Sequence, residues 1–148
     1  FGKEVLWGRL DYLLIDLPPG TADAVLTVLQ SFPIDGVVVV FTPQDLVEMI
    51  VRKAINMADM MQKRVLGVVE NMSYLYVPEI DKKLELFGPS RAQEMAQTAH
   101  APLLARIPVD SSLAALCDQG RIEEYDASVV TELGMNFLSA LGEAPNKK

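Results

Sequence analysis

The sequence predicts an α/β protein in which crossover helices link the strands of a parallel sheet. Strand-like and helix-like segments alternate along the chain, each cut by Pro, Gly, Asp or Asn, as in successive βα units. Residues 37–40 are four consecutive valines, and a strand without polar alternation belongs in a sheet covered on both faces. The 148 residues are 50% apolar and 22% charged, which suits one buried core and argues against disorder. A single domain over 1–142 is expected, with a frayed polar tail at 143–148.

The first predicted strand, 12–16, runs Tyr-Leu-Leu-Ile-Asp and is stopped by Pro18 and Pro19, which cannot donate to a ladder. Val25, Leu26, Val28 and Leu29 then recur at helical spacing within 22–32. The valine strand covers 36–41, and Thr42, Pro43 and Asp45 suit a cap, a first turn and a capping-box acid. The helix that follows should bury Leu46, Ile50, Ala54, Met57 and Met61. A third strand spans 64–70, and the stretch 73–89 reads as irregular. Ser90 and Gln93 form a second capping box before a short helix with Ala92, Met95, Ala96 and Ala99 inward. The fourth strand, 103–107, ends at Pro108. Asp110 caps a helix over 111–119 that Gly120 terminates. Asp126 opens a last helix with Val130, Leu133, Phe137, Leu138 and Leu141 on one face.

Thirteen Lys and Arg against twenty Asp and Glu give a net charge of −7, which repels phosphate backbones and argues against a nucleic-acid partner. A lone cysteine, Cys117, excludes an intrachain disulfide or a single-chain cysteine metal site; a small, partly buried role suits it. No apolar run approaches the ~20 residues of a membrane span, and a cytoplasmic setting is expected. His100 reads as a surface or helix-end residue, and Trp7 as packing beneath the sheet.

Ligands of open parallel sheets sit beyond the C-terminal strand ends. Asp16 to Gly20, Thr42, Glu70 with Asn71, and Pro108 to Asp110 fall there. A carboxylate ending an apolar strand can hold a Mg²⁺-bound water, and a glycine amide can approach a terminal phosphate without a Cβ intervening. A rigid proline turn explains the same residues equally well.

The run 11–21, Asp-Tyr-Leu-Leu-Ile-Asp-Leu-Pro-Pro-Gly-Thr, with Asp23 beyond it, resembles the switch II and Walker B region of the Mrp/ApbC-type iron-sulfur carrier ATPases. These belong to the MinD/ParA and nitrogenase-iron-protein group of P-loop proteins. Thr42-Pro43-Gln44-Asp45, then 67–74 (Gly-Val-Val-Glu-Asn-Met-Ser-Tyr), Phe87-Gly88 and Ile107-Pro108-Val109-Asp110 follow in the family's order. The resemblance covers residues 7 to 125. It implies a P-loop NTPase fold, ATP and Mg²⁺ as cofactors, and iron-sulfur client proteins. Asp16 then corresponds to the Mg²⁺-linked carboxylate and Gly20 to the γ-phosphate sensor. Asn71 matches the amide that reads the adenine edge, and Pro108, Val109 and Asp110 match the loop that closes over the base.

Two departures qualify the resemblance. No GxxxxGK[ST] loop occurs, and Gly2-Lys3 is followed by Glu4, so the phosphate-positioning part is missing. The chain therefore resembles the C-terminal part of such a protein without its N-terminal strands, with little or no ATPase activity of its own. It should self-associate as a homodimer, join the missing P-loop part, or act as a non-catalytic module completed by a separate P-loop polypeptide. Where typical members carry Cys-Pro-x-Cys, this chain has Val77-Pro78-Glu79-Ile80, and apolar side chains cannot ligate iron.

Overall fold

In the computed structural model the described residues are 4–18, 23–125 and 128–142, with 45–47 described by backbone alone. Helix α1 (Asp23–Ser31) precedes strand β1 (Val37–Phe41), α2 (Asp45–Met60) and β2 (Val65–Glu70). A short β3 (Leu75–Val77) and β4 (Lys82–Leu84) follow, then α3 (Ala92–Thr98), β5 (Leu103–Arg106), α4 (Ser111–Asp118) and α5 (Ser128–Leu141).

Strands β1, β2 and β5 form a parallel sheet with β2 in the centre. The α/β architecture is as expected, with one strand fewer at its head. Residues 4–18 contain no strand, and 4–16 are exposed, with Leu14 at 80%. An apolar run becomes a strand only where a neighbouring ladder accepts its backbone groups, and 12–16 does not pair with the outer edge of β1. Trp7 is likewise exposed and does not lie under the sheet. Leu17 alone in this stretch packs inward, against the Val25, Leu29 and Met57 cluster between α1 and α2.

The valine strand is an edge among the described residues, not a central strand. Val39 and Phe41 are buried, while Val40 on the other face is 59% exposed. Its composition suits a strand covered on both faces, but among the described residues the Val40 side is left open.

The principal core joins Val39, Phe41 and Val68 of the sheet to Val51 and Ile55 of α2 and Met95, Ala96 and Ala99 at α3. The inward stripe of α2 is Val51, Ile55 and Ala58 with Met57, whereas Ile50 is exposed and Ala54 only half-buried. Apolar residues on adjacent stripes left the helix phase open, and docking on β1 chose it. Leu46 lies among the residues described by backbone alone. The α2 helix also starts later than its capping signals suggest: Gln44 is the N-cap and makes no side-chain cap bond.

The segment read as irregular folds instead as an antiparallel β3–β4 hairpin, closed by a 3₁₀ turn at Pro78–Ile80. Asp81 takes the left-handed conformation, φ 48°, and its carboxylate accepts from Tyr76 Oη at 2.8 Å. Strands of three residues with two lysines and an internal proline turn carry too little alternation to be recognised.

Asp110 caps α4 as expected, and Gly120 follows it at φ 67°. Cys117 is exposed rather than partly buried, because α4 buries none of its residues. His100 is exposed just past α3. Asp126 lies outside the described residues. Helix α5 packs along β5 and β2, and Asn136 Nδ2 donates to the Leu104 carbonyl at 2.8 Å. Among the described residues no helix is long and apolar enough to cross a membrane.

Gly67 sits where β2 faces the buried Leu104 of β5; a Cβ there would lie 2.4 Å from Leu104 Cγ. Gly67→Ala is expected to destabilise the chain by about 1–3 kcal/mol through overpacking. Urea unfolding checks it, and an unchanged midpoint would show that Leu104 moves aside freely.

Candidate functional site

The parallel register brings three strand ends to one rim. Phe41 pairs with Glu70, and Glu70 with Arg106, so the residues after each strand meet there. Asn71 N–H donates to the Phe41 carbonyl at 2.7 Å, and Ile107 N–H donates to the Glu70 carbonyl at 2.8 Å. Ser73 N–H reaches the Ile107 carbonyl at 2.9 Å and Val109 N–H the Tyr74 carbonyl at 2.7 Å. The loop after β2 and the loop after β5 are thus zipped together beyond the sheet.

Asn71 stands at the start of this zipper. Its Oδ1 accepts from Met72 N–H at 2.9 Å, which fixes the carboxamide, while Nδ2 has no hydrogen-bond partner among the described residues. Met72 follows at φ 52°, a left-handed conformation that costs a non-glycine residue on the order of 1 kcal/mol and that clusters at binding sites.

Asp110 is engaged elsewhere. Its Oδ1 accepts from Ser112 N–H at 2.8 Å and Ser112 Oγ at 2.7 Å, and its Oδ2 from Tyr125 Oη at 2.8 Å. The Ser112 hydroxyl, then Tyr125, hold its carboxyl below the usual carboxylate range. Asp110 therefore shapes the loop as a helix cap. Burial first, and the Asp110 carboxylate second, push the Tyr125 hydroxyl up to about 12.

Asp16 is exposed and ends no strand, and Gly20 lies outside the described residues. Among the described residues no group of three His, Cys, Asp or Glu could hold a metal ion. The rim thus unites Asn71 with 108–110.

Glu70, which the sequence marks only as one more polar group at the rim, is fully buried. Its Oε2 accepts from Ser73 Oγ in a very short contact, from Ser90 Oγ at 2.7 Å and from Arg106 Nε at 3.3 Å; its Oε1 accepts from Arg91 N–H at 2.7 Å. Ser90 thus serves the carboxylate as well as accepting from Ala92 N–H at 3.3 Å, and Arg91 stands at the N-cap of α3. The sequence marks Ser90 only as a capping-box residue, a place Arg91 takes instead, and nothing local ties Ser73 or Arg106 to Glu70.

Matched against known families, residues 1–140 fit one described as "ParA: NUBPL iron-transfer P-loop NTPase". The chain belongs to this family. It is 46% identical over 125 residues to an iron-sulfur cluster carrier protein of Clostridium perfringens, covering 84% of this chain and 44% of that protein. A carrier protein of Pyrococcus furiosus is 38% identical over 117 residues, covering 79% and 40%. Among solved structures, a nucleotide-binding protein from Archaeoglobus fulgidus, in complex with ADP, superposes with a TM-score of 0.74 at 48% identity, covering 84% of this chain and 51% of that one. This family member thus spans less than half the length of the curated relatives it matches.

Replacing Glu70 with Ala strands two hydroxyls, an amide and part of a guanidinium, and should cost about 3 kcal/mol. Chemical unfolding measures it; a loss below about 1 kcal/mol would mean that water replaces the carboxylate.

The Tyr125 contribution to stability is complete below its unfolded value near 10 and is lost as pH rises toward about 12. That of Asp110 is present above the unfolded carboxylate value near 3.9 and is lost as pH falls through its lower folded value. Tyrosinate absorbance should show one of the four tyrosines titrating near 12. Asp110→Asn should lower that midpoint yet leave it above about 10, since burial is the larger cause.

Proposed function

We propose that this chain supplies the adenine-recognition edge of an ATP-binding iron-sulfur cluster carrier. The observation that carries this reading is the fixed Asn71 carboxamide, its Nδ2 unpartnered among the described residues, set beside the 107–110 loop. A carboxamide offers a donor and an acceptor to a purine edge. Family membership and the ADP-bound neighbour support the choice of ligand.

In this reading Asp16 holds a water of the Mg²⁺ ion and Gly20 senses the terminal phosphate. Mg²⁺ keeps several waters and takes one or two carboxylates plus phosphates, so a lone carboxylate fits it. The sequence holds no GxxxxGK[ST] loop, and phosphate positioning is most of the catalysis; the chain by itself turns over little or no ATP. The cluster is cargo for client proteins in the cytoplasm. Val77 and Ile80 cannot ligate it, so its ligands come from outside the hairpin.

The bare edge of β1 and the exposed apolar run 4–16 favour completion of the sheet by polypeptide carrying the P-loop, in the same chain or a separate one. Homodimerisation is the alternative use of that edge.

An NMR titration with ADP tests the reading. The Asn71 side-chain amide and the Val109 N–H should shift together, and Asn71→Ala should weaken binding about tenfold, as expected for a lost hydrogen bond. Shifts confined to other residues, or equal affinity of the variant, would overturn it.

A further inference from the structure

We propose that Arg106 is a positioning residue that couples the Asn71 edge to the β3–β4 hairpin, so that a bound base alters the set of the hairpin tip. This deepens the nucleotide reading and rests on it.

Arg106 faces two ways. On its inner side Nε donates to Ser73 Oγ at 2.8 Å and to the buried Glu70 at 3.3 Å. On its outer side Nη2 reaches Glu85 Oε1 at 3.5 Å, and the guanidinium carbon stands 5.6 Å from the centre of the Tyr74 ring. The same ring carries Lys83 Nζ of β4 at 4.3 Å. The inner bond to Ser73, at 2.8 Å, is the shortest Arg106 makes and sits beside a dry carboxylate, whereas the Glu85 contact, at 3.5 Å, lies at the long limit of a hydrogen bond. The inner side therefore governs, and because a guanidinium is a rigid planar fork, turning its inner edge re-aims the outer one.

Tyr74 closes the circuit. Its carbonyl accepts from Val109 N–H, while its ring lies against cations from β4 and β5. Ser73, the inner partner of Arg106, is tied through its N–H to Ile107. A purine engaging Asn71 and Val109 pulls on residues 73, 74 and 107, hence on Arg106 and the hairpin beyond. The hairpin tip holds Val77 and the exposed Ile80. This route leaves from the base end of the nucleotide and does not pass through residues 16–20.

The test follows the backbone amides of 76–83 during ADP titration of the full chain. They should shift with the same midpoint as Asn71 and Val109. In Arg106→Lys and in Glu85→Gln the hairpin shifts should shrink roughly threefold or more, with the midpoint at Asn71 moving less than about twofold. Glu85 is 42% exposed at its side chain, so its variant carries the test if Arg106→Lys does not fold. Undiminished hairpin shifts in Glu85→Gln, or shifts at Asn71 and Val109 with a silent hairpin in the parent chain, overturn the coupling alone. No response at Asn71 and Val109 in the parent overturns the nucleotide reading and the coupling with it.

Discussion

A buried carboxylate organises the rim of this molecule. Glu70 lies at the end of the central strand with no exposure to water, and burying a charge is tolerable only when its lone pairs are answered. Two serine hydroxyls, a backbone amide and a guanidinium answer them. The four donors come from three stretches: the loop after β2, the segment entering α3, and the end of β5. Satisfying one charge therefore sets the relative positions of the elements that frame the rim.

The candidate site inherits its geometry from this arrangement. Asn71 follows Glu70 directly, and the zipper from Ser73 to Val109 leaves little freedom to the loop that holds it. Asp110, spent on Ser112 and Tyr125, makes the other wall rigid in a different way, by starting α4 and catching the chain just after it. Two acids, Glu70 and Asp110, thus fix the two loops of the rim through their hydrogen bonds.

The parallel fold, the helix α3 face, the Asp110 cap and the Asn71 position were legible in the sequence because each rests on local periodicity or on an ordered series of motifs. The Glu70 cluster was not, because its donors lie 3, 20, 21 and 36 positions away and no local pattern links them. The run 12–16 looks like a strand by composition, yet strand formation depends on a partner. The same holds for the valines of β1, whose residues suit a cover that the described residues do not supply on the side of Val40. The phase of α2 was ambiguous for a different reason: too many apolar residues offered two stripes, and only contact with the sheet chose between them.

The Glu70 cluster also bears on how the chain reaches this state. Closing contacts across 36 positions costs chain entropy before it is rewarded. Until β5 arrives, the carboxylate has no guanidinium and is better left hydrated. Desolvation of the sheet centre is therefore tied to the docking of β5 and α3 together, which makes the closing of the rim a concerted folding event rather than a strand-by-strand one.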